Sequence, residues 1–275
     1  MPQIDSMKLG FSTVIYEPFG LELPRIIEKA SKYGYKGIEL NFKERPEDLD
    51  WAWIKELLEK YGVEVAAIGT RHMYLQHHLY LASPDPKVRE GGIRYIGKCM
   101  EIADKWGTHI VQAGWAFQGA RLEDEYEKVW GYAVESLKKV AEYAEDYGKT
   151  FVIEVANRFE TQLLNTLEQG LRMLEEVGSE RIALMADTFH MNIEEAVLGE
   201  SIRKAGDKIR YVHVADSNRL APGWGHTDFK EILDALKDIG YRGYLIMEFM
   251  PKPDPDTALQ HAIKYMEELM KEQDI

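Results

Sequence analysis

The sequence contains a single cysteine, Cys99, so no disulfide can form within the chain. This scarcity is typical of proteins in a reducing compartment, and we expect a cytoplasmic protein. The N-terminus lacks a basic stretch followed by an apolar core, and no apolar run approaches the ~18 residues of a membrane-spanning helix. Neither export through a signal peptide nor a membrane partner is expected.

Positive charge is also in short supply. The 275 residues include 34 Lys and Arg against 47 Asp and Glu, which gives a formal net charge of -13. Nucleic-acid affinity comes from clustered basic side chains, so this balance argues against a nucleic-acid partner and favours a small substrate. Linkers rich in Pro, Gly and Ser are absent too. We therefore interpret residues 1–275 as one domain, with residues 1–7 as a candidate disordered leader.

The chain does contain a repeated pattern of helices and strands. Seven amphipathic stretches end in a glycine, where a helix C-cap favours positive φ, and a short β-rich run follows each one. The glycines are Gly34, Gly62, Gly107, Gly148, Gly178, Gly206 and Gly240. With the opening run LGFST, the pattern predicts eight strands alternating with helices, an α/β fold of the (β/α)8 TIM barrel type. A doubly wound open sheet is disfavoured, because the turn TVIYEPFG after the first strand lacks GxGxxG.

Metal-capable side chains stand at the predicted carboxyl ends of four consecutive strands. They are Glu154, Asp187, His213 and Glu248. Functional residues of such barrels lie at this end of the strands. One carboxylate there could simply cap the next helix, but four side chains in register indicate a shared metal site.

The composition of this set predicts both a metal and a reaction. Three carboxylates and one imidazole are hard, oxygen-rich ligands that suit Mn, Mg or Co better than a closed zinc site. An octahedral ion held by four protein ligands keeps two positions open for adjacent oxygens of a hydroxy-ketone. A carboxylate could then remove the proton from the carbon beside the carbonyl.

Four segments in the second half of the chain resemble a known family. They are IEVANRFET at 153–161, DTFHMNIEE at 187–195, SNRLAPG at 217–223 and IMEF at 246–249. These segments resemble the xylose-isomerase-like sugar isomerase and epimerase barrels, and most closely the D-tagatose 3-epimerase and D-psicose 3-epimerase group. The resemblance covers roughly residues 150–250, whereas the first half of the chain matches only loosely.

The resemblance implies an isomerase, a metal-dependent ketose 3-epimerase. One divalent ion, Mn or Co first and Mg or Zn next, would be bound by Glu154, Asp187, His213 and Glu248. In this family the two glutamates are also the acid/base pair. Substrate would be bound by Glu160, His190 and Arg219. The implied reaction inverts C3 of a free ketohexose, such as D-tagatose, D-fructose or D-psicose, through a metal-bound cis-enediolate, and a homodimer or homotetramer is expected.

Three other interpretations remain open from the residues. An aldose-ketose isomerase of the same superfamily, including hydroxypyruvate-isomerase-like enzymes, would need the same metal and bases. A non-catalytic sugar-binding barrel is an alternative from another class, although the intact glutamates argue against it. An endonuclease IV-like role in DNA repair is disfavoured by the acidic charge and by only eight histidines.

Some residues have a less specific signal. Trp115, Phe11 and Tyr16 are predicted to line the substrate pocket with apolar surface. Asp216, where the family often has Glu, is expected to hold its loop together with His226.

The segment RHMYLQHHLY carries His72, His77 and His78 and could hold a second metal. A polar loop is the favoured interpretation, because the adjacent His77 and His78 point in different directions in most backbones.

Overall fold

Eight strands form a closed parallel barrel in sequential order, with the first strand beside the last. The computed structural model describes residues 7–45, 48–118 and 125–275. The strands are β1 (Lys8–Ser12), β2 (Gly37–Asn41), β3 (Glu64–Gly69), β4 (Ile110–Ala113), β5 (Thr150–Glu154), β6 (Ile182–Asp187), β7 (Ile209–Val214) and β8 (Tyr244–Met247). They read as nearly continuous apolar runs because a parallel barrel covers both faces of its strands. The predicted (β/α)8 fold is confirmed.

Helices separate consecutive strands, as a parallel arrangement requires. They are α1 (Leu23–Tyr33), α2 (Trp51–Tyr61), α3 (Arg71–Leu75), α4 (Pro86–Trp106), α5 (Tyr126–Asp146), α6 (Leu167–Val177), α7 (Thr188–Glu194), α8 (Leu198–Ala205), α9 (Phe229–Asp238) and α10 (Pro255–Glu272). Two 3-10 helices, Thr13–Phe19 and Gly206–Lys208, precede α1 and β7. Within the described ranges, no helix has the length and apolarity needed to cross a membrane.

The glycine pattern that predicted the helix ends is confirmed. All seven glycines have a positive φ, between 57° and 95°. Gly34 illustrates the reason, because its backbone N–H closes α1 by donating to Ala30 and Ser31 carbonyls from the left-handed region. The short β-rich runs after these glycines are strands β2 to β8.

Contacts within the chain group its residues into two compact units. The first unit comprises residues up to 39, 52–66 and 186–275. Within it, β1 pairs with both β2 and β8, so that Ser12 lies opposite Glu39 and Gly10 opposite Ile246. Strand β7 pairs with β8 and sets His213 opposite Ile246. This register places polar side chains at the carboxyl ends of the first unit's strands.

The second unit comprises residues 40–51 and 67–185. Strand β5 pairs in parallel with β4 on one side and with β6 on the other. Trp130 of α5 is almost fully buried and donates its Nε1 hydrogen bond to the Glu176 carboxylate at 2.9 Å. The interpretation of residues 1–275 as one domain stays a prediction.

The predicted leader at residues 1–7 lies mostly outside the described residues. Only Met7 belongs to the described part of the chain, and it is buried immediately before β1.

The close approach of strands in the first unit predicts the effect of adding a methyl group at Gly10. A Cβ there would lie 2.6 Å from Ile246 Cδ1 and 2.7 Å from the backbone oxygen of Gly37. The backbone atom cannot move aside without disturbing the pairing of β1 with β2. Gly10→Ala should therefore lower the free energy of unfolding by about 1–3 kcal/mol, measured by urea titration.

Gly131 provides the matched control for Gly10. It lies inside α5, has no positive φ, and nothing lies within 4 Å of a Cβ built on it. Gly131→Ala should raise the free energy of unfolding by about 0.5–1 kcal/mol, because alanine loses less backbone entropy in a helix. Equal effects of the two substitutions would contradict this account of the packing.

Candidate metal and substrate site

Polar side chains of the first unit converge at the carboxyl ends of its strands. Asp187 ends β6, His213 lies in β7 and Glu248 follows β8 directly. Asp187 and His213 are 0% and 2% exposed. One ligand atom from each of these three residues lies within 4.8 Å of the others, the spacing expected of groups that share a metal ion.

The two oxygens of Asp187 have different surroundings. Oδ1 accepts hydrogen bonds from the backbone N–H groups of Phe189 and His190, so Asp187 is the N-cap of α7. Oδ2 is buried and receives no hydrogen bond from the residues that the structure describes. It lies 3.8 Å from His190 Nε2 and 3.9 Å from His213 Nδ1. The carboxylate thus both caps a helix and presents one oxygen to two imidazoles.

His213 is oriented by Glu39, a residue that sequence reasoning missed. His213 Nε2 lies 2.7 Å from Glu39 Oε2, and Ser12 Oγ donates to the other oxygen of that carboxylate at 2.8 Å. Burial by itself raises the pKa of the Glu39 carboxyl. The charge and hydrogen bond of His213 and the hydrogen bond from Ser12 outweigh burial and lower that pKa below its ordinary value. Glu39 is therefore ionised at neutral pH and accepts a hydrogen bond from the Nε2–H group of His213.

The tautomer of His213 follows from this hydrogen bond. An imidazole that binds a metal ion is neutral and carries one N–H. In that form Glu39 holds the N–H on Nε2, which leaves a lone pair on Nδ1. That lone pair faces the buried oxygen Asp187 Oδ2 at 3.9 Å. Two acceptors facing each other in a buried site repel unless a cation lies between them.

These residues fit a divalent metal ion. Two ligands that are each about 2.1 Å from one ion lie at most about 4.2 Å apart, and the separation of Asp187 Oδ2 and His213 Nδ1 is within that limit. A metal-binding histidine usually donates a hydrogen bond from its other ring N–H to a carboxylate, as His213 does to Glu39. The donor set of carboxylate oxygens and one imidazole is hard, as the sequence predicted.

Arg219 links the carboxylate of Glu248 to His190. Its Nη2 donates to Glu248 Oε2 at 3.0 Å and its Nη1 lies 3.4 Å from His190 Nε2. Because a guanidinium can only donate, His190 Nε2 is the acceptor. The Arg219 guanidinium also lies 4.7 Å from the centre of the Phe189 ring, and its backbone has a left-handed φ of 58°. Arg219 thus holds one face of the Glu248 carboxylate.

Asp216 organises the loop that carries Arg219. Its carboxylate accepts backbone hydrogen bonds from Ser217 at 2.7 Å, Gly223 at 2.8 Å and Thr227 at 3.0 Å. Ser217 Oγ in turn lies 2.9 Å from His226 Nδ1 and accepts the His226 backbone N–H. The structure therefore gives Asp216 and His226 the loop-holding roles expected from the sequence.

The second unit carries other residues that the sequence singled out. Glu154 is the buried last residue of β5. Glu160 accepts a hydrogen bond from Asn157 Nδ2 at 3.2 Å. Trp115 has a left-handed φ of 62°, and its ring lies 5.8 Å from the Arg71 guanidinium. Roles for Glu154 in metal binding and for Glu160 and Trp115 in substrate binding stay predictions.

Phe11 and Tyr16 are fully buried in the first unit. The Phe11 ring makes edge contacts with Tyr16 and Tyr35, with ring centres 6.0 and 5.1 Å apart. Tyr16 donates a 2.7 Å hydrogen bond to Asp256, and burial first and this bond second raise the pKa of its phenol. These contacts are those of packed core side chains, and a role as pocket wall stays a prediction.

The local sequence held one signal for Glu39. In the run GIEL, a carboxylate interrupts an otherwise apolar strand, and burying an ionised carboxylate requires a partner. That partner is His213, which lies 174 positions away in the chain. Only the paired strands bring the two side chains together.

Comparison with known proteins agrees with the sequence motifs. Residues 27–269 match the xylose isomerase-like TIM barrel family. The chain is 37% identical over 229 residues to an L-ribulose 3-epimerase of Mesorhizobium japonicum, covering 82% of this chain and 75% of the relative. It is 33% identical to a D-psicose 3-epimerase of Ruminiclostridium cellulolyticum, covering 81% and 76%.

A solved structure gives the same result. The crystal structure of D-psicose 3-epimerase with D-tagatose from Clostridium cellulolyticum H10 superimposes with a TM-score of 0.86 at 26% sequence identity. The superposition covers 96% of this chain and 99% of the other.

The Asp216 loop yields a prediction about stability and pH. Burial by itself would raise the pKa of the Asp216 carboxyl. Hydrogen bonds from the backbone N–H groups of Thr227, Ser217 and Gly225 outweigh burial and bring this pKa below its ordinary value. Asp216→Ala should lower the free energy of unfolding at pH 7 by about 1–3 kcal/mol, because buried N–H groups lose their acceptor. A carboxyl group whose pKa is lower in the folded than in the unfolded protein stabilises the folded state at pH values above its unfolded pKa. This stabilisation is lost as the pH falls through the folded pKa.

The difference in the free energy of unfolding between wild type and Asp216→Ala should therefore become smaller below about pH 4, where an ordinary Asp carboxyl becomes protonated. Urea titrations at pH 7 and in acid measure it. Asp207→Ala is the control, because Asp207 is exposed and its loss should change stability by less than about 0.5 kcal/mol. A difference that grows in acid would contradict the role given to Asp216.

Proposed function

Because this chain belongs to the xylose isomerase-like TIM barrel family, and within it to the ketose 3-epimerases, we propose that it is a metal-dependent epimerase that inverts C3 of a free ketohexose. It is thus an isomerase of the carbohydrate-epimerase class. The observation that carries the proposal is the pair of facing acceptors, Asp187 Oδ2 and His213 Nδ1, grouped with the Glu248 carboxylate.

The proposed cofactor is one divalent ion, Mn or Co, held by Asp187, His213 and Glu248 of the first unit together with Glu154. Glu154 is included because of its position in the family motif IEVANRFET. When bound, such an ion would polarise the C2 carbonyl and stabilise negative charge on the adjacent oxygens.

The proton transfers belong to the two glutamates. Glu248, ionised beside Arg219, removes the C3 proton from one face of the ketose, and the electron pair of the broken C–H bond moves toward the C2 oxygen to give a planar enediolate. Glu154 in its acid form donates a proton to C3 from the other face, which inverts the centre. For the opposite epimer the two glutamates exchange roles.

Arg219 and His190 are proposed to bind substrate oxygens. Arg219 is a cation with five N–H donors, and its contacts include Glu248 and His190. Because His190 Nε2 accepts from Arg219, its Nδ1 carries the proton and can donate. Glu160, the last residue of the NRFE motif, is proposed to accept a hydrogen bond from a substrate hydroxyl.

The charge of the first unit's site favours an unphosphorylated sugar. Glu39, Asp187 and Glu248 carry three negative charges against the single guanidinium of Arg219. Among the described residues of this site, Arg219 is thus the one guanidinium that a phosphate group could bind. The relatives named above act on L-ribulose and D-psicose, so pentuloses belong in the same assay as ketohexoses.

A homodimer or homotetramer in the cytoplasm remains part of the proposal. Light scattering of the purified protein tests the assembly directly.

The position of exchanged hydrogen tests the reaction. The Mn-loaded protein, incubated with D-fructose in deuterated water, should introduce deuterium at C3 of both fructose and D-psicose, measured by NMR. The reason is that each epimer loses its C3 proton to a carboxylate, and the proton on that carboxyl group exchanges with deuterium from the solvent. Deuterium at C1 alone would indicate an aldose-ketose isomerase, and no exchange with any ketose would indicate a binding protein.

Glu248→Gln and Glu154→Gln should each lower the rate of epimerisation by about 10²–10⁴-fold, since general acid–base catalysis contributes that much. Circular dichroism should show that both variants remain folded. Glu200→Gln is the matched control, because Glu200 is exposed on α8. Unchanged turnover in either glutamine variant would refute the assignment of that base.

Glu39 provides a separate test of the metal site. Glu39→Gln removes the charge that holds the Nε2 proton of His213, so the affinity for Mn should fall about 10–100-fold. Competition with a fluorescent chelator measures this affinity without any substrate. Ser12→Ala should have a smaller effect, because it removes only a neutral hydrogen bond to Glu39. Equal affinities of wild type and Glu39→Gln would contradict the orienting role of Glu39.

A further inference from the structure

The second unit contains a cavity of about 640 Å³ whose lining includes none of the metal-binding, catalytic or substrate-binding residues proposed above. Its wall is formed by the segment after α3, by one face of α4 and by Arg45. The cavity is open to solvent, its cationic side chains are exposed, and its volume is in the range of pockets that bind small molecules. The lining residues are Arg45, Gln76, His77, Leu79, Lys87, Gly91, Arg94, Tyr95 and Lys98.

The lining carries a concentration of positive charge. Arg45, Lys87, Arg94 and Lys98 are cationic, and among the residues that the structure describes no Asp or Glu contributes to the lining. This contrasts with the formal net charge of -13 for the chain. Cations gathered in a concave surface within an acidic protein create a local field that attracts anions.

Helix α4 sets three of these cations in one row. Lys87, Gly91, Arg94 and Lys98 follow each other at spacings of four, three and four residues, which places them on one face of a helix. Gly91 lies where Leu79 approaches the helix, since a Cβ at this position would be 2.7 Å from Leu79 Cδ2. The glycine lets the two walls approach without filling the space between the cations.

Two carboxylates contact this row without neutralising it. Lys98 Nζ lies 2.8 Å from Glu101, whose other oxygen binds Lys105 at 2.9 Å, and Glu90 is 4.0 Å from Arg94. Glu101 is therefore shared between two lysines. In the described part of the chain, no carboxylate oxygen lies within 4.0 Å of the side-chain nitrogens of Lys87 or Arg45.

The same cavity accounts for part of the histidine-rich segment. The His77 ring lines it and lies against Tyr95, with ring centres 5.7 Å apart. Among the described residues, no metal-capable group of three side chains includes His72, His77 or His78. A metal cation beside four fixed cations would be repelled. The lining is suited to an anion instead.

We propose that this cavity binds a small phosphorylated metabolite, with the phosphate groups held by Arg94, Lys87 and Lys98 and the body of the molecule against Tyr95 and His77. Arginine and lysine are the residues that bind phosphate oxygens, and arginine can do so through two parallel hydrogen bonds. The proposed substrate is an uncharged sugar, so this ligand would be a second molecule and not the substrate. The proposal does not depend on the proposed function.

Isothermal titration tests the site with fructose 1,6-bisphosphate and with inorganic pyrophosphate as probes. The titrations use the full chain at constant ionic strength, with D-fructose present to occupy the proposed substrate site. Wild type should bind the bisphosphate, and Lys87→Ala with Arg94→Ala should weaken binding at least tenfold. Higher salt should weaken binding as well, because the attraction is between exposed charges.

The matched control removes two cations elsewhere. Lys230→Ala with Arg203→Ala takes away the same charge from exposed positions of α9 and α8 in the first unit and should leave the affinity unchanged. Absence of binding to wild type, or equal loss in both double variants, would overturn the proposal. Epimerase activity of Lys87→Ala with Arg94→Ala should persist in the absence of phosphate esters, so a failure here is separate from a failure of the proposed function.

Discussion

The hydrogen bond between Glu39 and His213 is the interaction on which the rest of the site depends. Burying a carboxylate and an imidazole costs several kcal/mol unless each finds a partner. Glu39 meets this requirement through His213 and Ser12. The consequence is that His213 turns its other nitrogen, with its lone pair, toward Asp187. A cation would stabilise the buried negative charge of these carboxylates, and we therefore propose that a metal ion belongs to this cluster.

Helix capping and loop geometry complete the arrangement. Asp187 gives one oxygen to the N-terminus of α7 and keeps the other for the cluster. Asp216 gathers backbone N–H groups of its loop, and the left-handed residue Arg219 within that loop reaches Glu248. The base proposed for catalysis is thus oriented by a charged donor whose own position depends on a buried carboxylate.

The fold could be predicted because its signals are local. Each glycine ends the helix directly before it, and each apolar run is short enough to be only a strand. Strand-end residues such as Asp187 and His213 followed from the same register. Glu39 could not be predicted, since nothing near GIEL in the chain reveals that His213 faces it. Arg219 was assigned to substrate, but its contact with Glu248 depends on a backbone conformation that an arginine seldom adopts. The cationic cavity likewise joins Arg45 to α4 across a long separation in sequence.

Anomalous scattering from a crystal grown with Mn²⁺ tests the central claim most directly. One manganese peak is expected within about 2.0–2.3 Å of Asp187 Oδ2, His213 Nδ1 and a Glu248 oxygen, with His213 Nε2 still bonded to Glu39. A peak that contacts His213 through Nε2, or a fully loaded crystal with no manganese at Asp187, would contradict the account.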